Sequence, residues 1–222
     1  MIEATLIDYM GTDLSVVNAA RVSFGKKSSW AKFTAGHADQ GVLQDKDRKL
    51  IHYLAEHKHL SPFGHCFASF HVKAPLFVAR QLVKHKFLRW NEISRRYVDS
   101  EPEFYEPKEW RGRSADKKQG SEGVVSISGE TMRVASKASM WSVRNYRALL
   151  NAGVCPEQAR MVLPQSTMTE WYWSGSLDAF ADMCNLRCTD DTQLETRLAA
   201  NHICDKMKKL FPVSWFALRL EK

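Results

Sequence analysis

Two kinds of apolar spacing follow one another along this chain of 222 residues, and their order limits the folds available to it. Apolar residues alternate with polar ones from residue 2 to about residue 9 and again from 69 to 74, as in half-buried β-strands. Trp171, Tyr172 and Trp173 indicate a third strand. Elsewhere apolar residues recur at helical spacing. Because the strands are few and no regular βαβ alternation is present, we expect an α+β domain with a small mixed or antiparallel sheet and several long helices.

The helices are predicted from this spacing and from residues that begin or end helices. Asp13 is the expected N-cap of a first helix that buries Phe24 on its apolar face and ends at Gly25. Further helices are expected at 45–57, 76–86, 130–151, 156–162, 176–187 and from 190 or 191 to 210. In the helix that ends near residue 151, Met140 and Tyr146 are expected to face inward.

The length fits a single domain, 1–222, and one segment stands out from the rest of it. Residues 111–129 are rich in Gly, Ser, Lys and Asp and contain few apolar residues. We expect this segment to be a surface insertion.

Composition excludes several classes of protein. The chain is 44% hydrophobic and 26% charged, as ordinary globular proteins are. No apolar run approaches the roughly 18–20 residues that span a bilayer, and the N-terminus lacks the layout of a secretory signal, so a cytoplasmic protein without a membrane partner is expected. The 32 Lys and Arg exceed the 25 Asp and Glu, for a net charge of +7. This charge suits an anionic partner, whether a polymer or small ligands in clefts.

The cysteines and histidines predict no metal site. The five cysteines are odd in number and form no C-x-x-C pair, so reduced thiols are expected rather than disulfides or a zinc ribbon. The histidines between residues 52 and 71 match no metal-binding signature. Cys155 precedes Pro156 at a predicted helix start, and both a reactive thiol and a small buried side chain remain open for it.

A basic segment followed by a polar loop is the strongest local signal. It runs from Arg80 to Lys86 and continues through the polar residues 91–97. Arg80 and Lys84 would share a helix face, which favours an anion between or beyond the two cations. The loop adds a carboxylate, an amide, a hydroxyl and two guanidiniums, the groups that fix a phosphate and hydrogen-bond a polar ring. A solvated basic helix end is the alternative.

Arg160 and Arg187 each interrupt an apolar stretch. A guanidinium in such surroundings needs partners, because a buried unpaired charge is costly. A bound ligand and a structural ion pair are both open.

Taken together, these segments resemble the flavin-dependent thymidylate synthases. That family is marked by Arg-His-Arg, seven further residues and Ser, within a longer pattern that ends Asn-Glu-x-Ser-x-Arg-Tyr. Here the pattern is Lys84-His85-Lys86, residues 87–93 and Ser94, with lysine in place of both arginines. The similarity continues through 18–24, 61–65, 70–75, 79–81, 103–105, 159–164 and 185–187.

The resemblance implies an enzyme that methylates dUMP to dTMP, with 5,10-methylenetetrahydrofolate as one-carbon donor and NADPH-reduced FAD as hydride source. It also implies a homotetramer whose sites lie between subunits. The residues implied for dUMP are Gln81, Lys84, Glu92, Ile93, Ser94, Arg95, Arg96, Arg160 and Arg187. Those implied for FAD are His59, Ser61, Lys84, His85, Lys86, Glu92, Ser176 and Asp182.

Arg187 would be the catalytic residue of this enzyme. For C5 of uracil to attack an electrophilic methylene, negative charge must build on the N3 and O4 edge of the ring. A fixed guanidinium there stabilises the transition state more than the ground state.

Two other functions remain open at this point. One is a nucleic-acid-binding protein that uses residues 84–96, although Glu92, Asp99 and Glu101 would repel a phosphate backbone, so no nucleic acid is expected as partner. The other is an inactive relative that binds nucleotide without turnover. The lysines at positions 84 and 86 allow this interpretation, because an ammonium is a point charge, whereas a guanidinium can hydrogen-bond two oxygens at once.

Overall fold

The computed structural model describes residues 1–31, 41–115 and 120–219. Its strands are β1 (Glu3–Met10), β2 (Phe67–Pro75), β3 (Leu88–Glu92), β4 (Arg111–Arg113), β5 (Ser121–Val124) and β6 (Met168–Ser176). Its α-helices are α1 (Asp13–Arg21), α2 (Asp45–Glu56), α3 (Leu76–Leu82), α4 (Gly129–Asn151), α5 (Pro156–Ala159), α6 (Leu177–Arg187), α7 (Leu194–Leu210) and α8 (Pro212–Leu218). Short 3₁₀ turns cover Val22–Phe24, Phe63–His65 and Arg160–Val162. The α+β class is confirmed.

The main sheet is antiparallel, with the strand order β1-β2-β6-β3. Trp171 and Trp173 on β6 are 1% exposed, and burial of each contributes roughly 2–3 kcal/mol. Trp90 of β3 stacks on Trp171 with ring centroids 4.3 Å apart. The two strands expected from alternation and the third expected at 171–173 are all present. β3 was not expected, because its exposed positions Arg89 and Asn91 are polar and it lies at the edge of the sheet.

A turn with unusual backbone geometry leads into β3. Phe87 has φ of +62°, in the left-handed region that bulky residues rarely adopt. Gly175 of β6 lies against this turn, and a Cβ on it would come 3.0 Å from the Phe87 carbonyl oxygen and 2.4 Å from Leu88 Cδ2. The missing side chain of Gly175 therefore lets the turn approach the central strand closely.

Several helix boundaries differ from expectation. α3 ends at Leu82 rather than residue 86, so Lys84 lies outside the helix and does not share a helix face with Arg80. α7 begins at Leu194, after a turn, rather than at 190 or 191. Phe24 is 77% exposed and lies in a 3₁₀ turn, so its predicted burial is wrong. Gly25 does end this segment, with φ of +61°.

Residues 111–129 contain the β4–β5 hairpin and lead into α4; positions 116–119 of this segment lie outside the described residues. Arg111 Nη2 donates to both carboxylate oxygens of Glu195 on α7 at 2.8 Å, which anchors the hairpin. α4 begins and ends within a residue of its predicted bounds. Tyr146 on it is buried as expected, whereas Met140 is 64% exposed.

No helix in the described ranges combines the length and the apolar character that a membrane crossing requires.

Asp13 links α1, near the start of the chain, to α8 by hydrogen bonds. It is the first residue of α1, after the N-cap Thr12, and is 4% exposed. Its two carboxylate oxygens accept from the backbone N–H groups of Val213 and Ser214, at 2.9 Å each. Asp13 was expected to cap its own helix. Instead it satisfies the first N–H groups of α8, which lack partners inside that helix.

We expect Asp13→Ala to lower the free energy of unfolding by about 1.5–3 kcal/mol, because two buried donors lose a charged acceptor. Urea unfolding followed by circular dichroism measures this change. Asp205→Ala, on the exposed face of α7, is the control and should cost less than about 0.5 kcal/mol. Equal losses in both variants would contradict the role given to Asp13.

Candidate functional site

Arg187 and His85 form the contact on which the candidate site is built. Arg187 is the last residue of α6, and His85 follows the end of α3, 102 positions away in sequence. Arg187 Nε donates to His85 Nε2 at 3.0 Å. To accept this bond, Nε2 must carry a lone pair, so the ring is neutral with its proton on Nδ1.

The electrostatics of this pair agree with a neutral imidazole. Burial and the charge of Arg187 lower the pKa of His85 from 6.5 to about 4. Burial also lowers the pKa of Arg187 from 12.5, but a guanidinium keeps its charge in proteins. A charged guanidinium is thus held by its Nε, and its two terminal nitrogens remain for other partners.

Gln81 lies in the last turn of α3, four residues before His85. Its Nε2 donates to Gln193 Oε1 at 2.6 Å, and its Oε1 accepts from Thr196 Oγ1 at 3.1 Å. Both ends of the amide are therefore fixed against the start of α7. Gln193 and Thr196 had not been singled out from the sequence, because the predicted helix start at 190 or 191 concealed their place at a helix N-terminus.

A cavity of about 460 Å³ adjoins the hydrogen bond between Gln81 and Gln193, since Gln193 forms part of the cavity wall. Other lining residues are Phe77, Tyr105, Trp110, Arg111 and Glu195. The volume is large enough for a small organic ligand. The wall brings together α3, α7, α4 and the β4–β5 hairpin.

Glu92 ends β3 and is held by two donors. Its Oε1 accepts from Thr169 Oγ1 at 2.6 Å, and its Oε2 accepts from Trp90 Nε1 at 3.1 Å. The carboxylate is half-buried and directed by the sheet itself, because Glu92 pairs with Trp171.

The loop after β3 presents charged groups to solvent. Arg96 Nε donates to Ser94 Oγ at 3.2 Å, and Arg95 Nη1 donates to the Ser100 carbonyl at 2.8 Å. Ile93 is 40% exposed. The guanidinium of Arg96 also lies 5.0 Å from the centroid of the exposed Tyr97 ring. This arrangement orients two cations and a hydroxyl at the surface.

The other residues implied for dUMP are exposed. Lys84 lies in the turn between α3 and β3, as does Lys86, which is implied for FAD only. Arg160 lies in the 3₁₀ turn after α5, where its Nε donates to the Glu157 carbonyl at 3.1 Å. Within the described residues, no hydrogen bond or ion pair joins Arg160 or the 92–96 segment to Arg187. One chain thus brings His85, four residues after Gln81, into direct contact with Arg187.

Besides the turn between α3 and β3, which carries Lys84, His85 and Lys86, residues implied for FAD lie in two other places. His59 and Ser61 are exposed in the loop after α2, where His59 lies parallel to His57 with ring centroids 6.3 Å apart. Ser176 is the N-cap of α6, and Asp182 is on the exposed surface of that helix. Burial and the charge of Asp178 raise the pKa of Asp182.

Asp178 shares this helix start with Ser176 and Asp182 but was not among the residues implied for FAD. It lies in the first turn of α6, and its buried Oδ1 has no hydrogen-bond partner among the described residues. A buried carboxylate oxygen of this kind is costly unless a donor reaches it.

Comparisons with known proteins agree on one family. The model of the family described as "Thymidylate synthase complementing protein" matches residues 5–213. A flavin-dependent thymidylate synthase of Thermus thermophilus is 39% identical over 212 residues, which are 96% of this chain and 73% of that protein. One of Thermosipho melanesiensis is 37% identical and covers 93% of this chain and 86% of that protein.

Solved structures give the same result. A UMP/dUMP methylase, PolB from Streptomyces cacaoi, bound with 5-Br dUMP, superposes with a TM-score of 0.79 and 31% identity. The match covers 98% of this chain and 94% of that one.

The His85–Arg187 contact should make stability depend on pH in mild acid. The folded protein keeps His85 neutral down to about pH 4, whereas the unfolded chain protonates it near pH 6.5. Between these values the unfolded state binds more protons, so the free energy of unfolding falls as the pH is lowered. We expect His85 to account for roughly 1–2 kcal/mol of this fall, after allowing for solvent screening of a half-exposed ring.

Urea unfolding of the ligand-free protein at several pH values from 7 to 4 measures this dependence. His85→Gln retains an acceptor for Arg187 and should flatten the curve. His202→Gln, on the exposed surface of α7, should leave it unchanged. If the His85 variant kept the full slope, the inferred neutrality of the ring would be wrong.

Proposed function

The chain belongs to the flavin-dependent thymidylate synthases, and we propose that it methylates dUMP to dTMP with FAD as its redox cofactor. The family predicted from the sequence is confirmed by these matches. In this proposal 5,10-methylenetetrahydrofolate supplies the carbon and NADPH reduces the flavin. The observation that carries the proposal is the position of the Arg187 guanidinium. Arg187 ends α6, and neutral His85 accepts a hydrogen bond from its Nε.

Arg187 is proposed to act on the pyrimidine ring. For C5 of uracil to attack the methylene of the folate, negative charge must first build on the N3 and O4 edge of the ring, which makes C5 a nucleophile. A guanidinium that is already oriented loses little entropy as this charge develops, so it stabilises the transition state. The neutral state of His85 supports this role, because a protonated imidazole could not accept the Arg187 N–H and would repel the cation.

Gln81 and Glu92 are proposed to orient the nucleotide. Each is fixed by neighbours before any ligand binds, Gln81 by Gln193 and Thr196, and Glu92 by Thr169 and Trp90. Prior fixing lowers the entropy cost of binding. The second lone pairs of their oxygens remain available to N–H and O–H donors of the ligand.

The phosphate of dUMP is proposed to bind at Ser94, Arg95, Arg96 and Arg160, beside Ile93. Ser94 and Arg96 already touch, so a hydroxyl and a guanidinium present donors from one place. Hydrogen bonds between a charged donor and a phosphate are stronger than those between neutral groups, and arginine can form two at once. This assignment uses part of the +7 surplus.

The chain's residues fit FAD in two respects. The ammonium groups of Lys84 and Lys86 are exposed on either side of His85 and suit a pyrophosphate. The unpartnered Oδ1 of Asp178, near Ser176 and Asp182, suits an N–H or hydroxyl donor of the cofactor. His59, Ser61 and Glu92 are proposed to complete the surroundings. When bound, the flavin supplies the hydride transfer that side chains cannot perform.

We propose further that the active unit is a homotetramer with shared sites. One chain holds His85 against Arg187, while no hydrogen bond or ion pair among the described residues links Arg187 to Arg160 or to the 92–96 segment. Large apolar side chains close in sequence to His85, Arg160 and Arg96 are exposed. They are Phe87 (83%), Met161 (81%) and Tyr97 (76%). Exposed apolar groups of this size favour burial against another copy. A complete site would then take Arg187 from one copy and Arg96 from another.

Arg187→Ala should reduce dTMP formation by roughly 10²–10³-fold, because the transition state loses a fixed cation. Bound FAD, read from its visible absorbance, should be retained. Arg48→Ala, which removes an exposed arginine from α2, is the control and should keep full turnover. Wild-type turnover in Arg187→Ala would refute its catalytic role. A wild-type protein that binds FAD and dUMP without turnover would instead be an inactive relative.

Shared sites can be tested with two inactive variants. Arg187→Ala and Arg96→Ala, co-expressed with different affinity tags and purified as mixed oligomers, should recover activity in roughly a quarter of the sites, because a site can draw its intact residues from different copies. Each variant alone should remain inactive. If the mixed oligomer were as inactive as either parent, both residues would serve a site within one chain.

A further inference from the structure

Three of the five cysteines meet in a cluster that the proposed reaction does not use. Cys184 lies on α6, Cys188 follows the end of that helix, and Cys204 lies on α7. Their three sulfur atoms all lie within 4.8 Å of one another. The sequence shows only the pair one helical turn apart. The packing of α6 against α7 brings in the third thiol, which spacing could not reveal.

Two hydrogen-bond donors lie next to the cluster. Trp215 Nε1 and Arg219 Nη1 are buried donors with no hydrogen-bond partner within the described residues. Both side chains lie beside Cys204. Two buried donors that lack an oxygen or nitrogen acceptor are accounted for if the adjacent sulfur atoms accept from them as thiolates.

We propose that the sulfur atoms of Cys184, Cys188 and Cys204 form a binding site for a thiophilic metal ion, Cu(I). This inference is independent of the proposed function, because none of the three cysteines is assigned to dUMP or FAD. It also revises the expectation from sequence that the chain has no metal site.

Geometry and ligand type decide the choice of ion. Three ligands at a metal–sulfur distance of about 2.3 Å lie about 4 Å apart, so the sulfur atoms need to move by less than about 1 Å. Among the described residues this is the one group of three or more Cys, His, Asp or Glu close enough to share an ion, and it holds neither imidazole nor carboxylate. Three soft ligands without a fourth suit Cu(I), whereas structural Zn²⁺ requires four.

Charge and access also fit. Three thiolates and one Cu⁺ carry a net charge of −2, which the guanidinium of Arg219 offsets in part. The N–H of Trp215 can donate to a coordinated sulfur and orient it. Cys184 is buried, while Cys188 and Cys204 are partly exposed, so an ion can reach the cluster from solvent.

The test is anaerobic titration of the reduced full-length protein with Cu(I), in competition with a chromophoric Cu(I) chelator. We expect one Cu(I) per chain. Cys188→Ser and Cys204→Ser should each weaken binding at least tenfold, because two sulfur ligands remain. Cys155→Ser is the matched control, since Cys155 is exposed and outside the cluster, and it should bind as the wild type does. X-ray absorption of the loaded protein should give three sulfur neighbours.

These measurements can also overturn the proposal. Circular dichroism selects variants that remain folded, and the two partly exposed cysteines are chosen because a change at the fully buried Cys184 carries more risk to folding. Unchanged Cu(I) affinity in both variants would exclude the site. A nitrogen ligand in the absorption spectrum, or preferential binding of Zn²⁺ at the same cysteines, would exclude the ion proposed.

Discussion

Pairing of β6 on both of its sides is the constraint on which the remainder of the molecule depends. β2 and β3 hydrogen-bond to its two edges, and the stacked rings of Trp90 and Trp171 close one part of the core. β6 continues into α6 without a loop, so the position of the sheet sets the direction of that helix. Arg187 at the far end of α6 is thereby aimed at the turn after α3, and Gly175 lets the chain from that turn lie against β6.

The candidate site pairs a charged guanidinium, that of Arg187, with a neutral imidazole, that of His85, rather than with a carboxylate. A carboxylate beside Arg187 would neutralise the guanidinium and weaken its hold on a developing oxyanion. A neutral imidazole fixes the same nitrogen without cancelling the charge. Partial burial maintains this state, because it lowers the pKa of His85 and keeps water from replacing the contact. The fold thus supplies a positioned cation whose charge is still available.

Sequence periodicity predicted the elements whose burial is regular. β1, β2 and the tryptophan-bearing part of β6 follow alternation, and α4 follows helical spacing. β3 was missed because its apolar alternation is limited to Leu88 and Trp90, between a predicted helix and a polar loop. Family resemblance named Gln81, His85 and Arg187, but only tertiary packing shows that His85 and Gln193 hold the other two in place. Contacts across 102 and 112 positions leave no local signal in a single sequence.

β3 is a terminal strand of its sheet, and this has a consequence for solubility. The outer side of such a strand offers backbone N–H and C=O groups that a strand of another molecule can pair with, which is how sheet proteins begin to aggregate. Exposed Arg89 within β3, with Lys86 before it and Arg96 after it, surrounds this edge with like charge. Pairing of this edge with the same edge of another molecule is therefore disfavoured. Selection for ligand binding and selection against fibril formation would act on the same few positions.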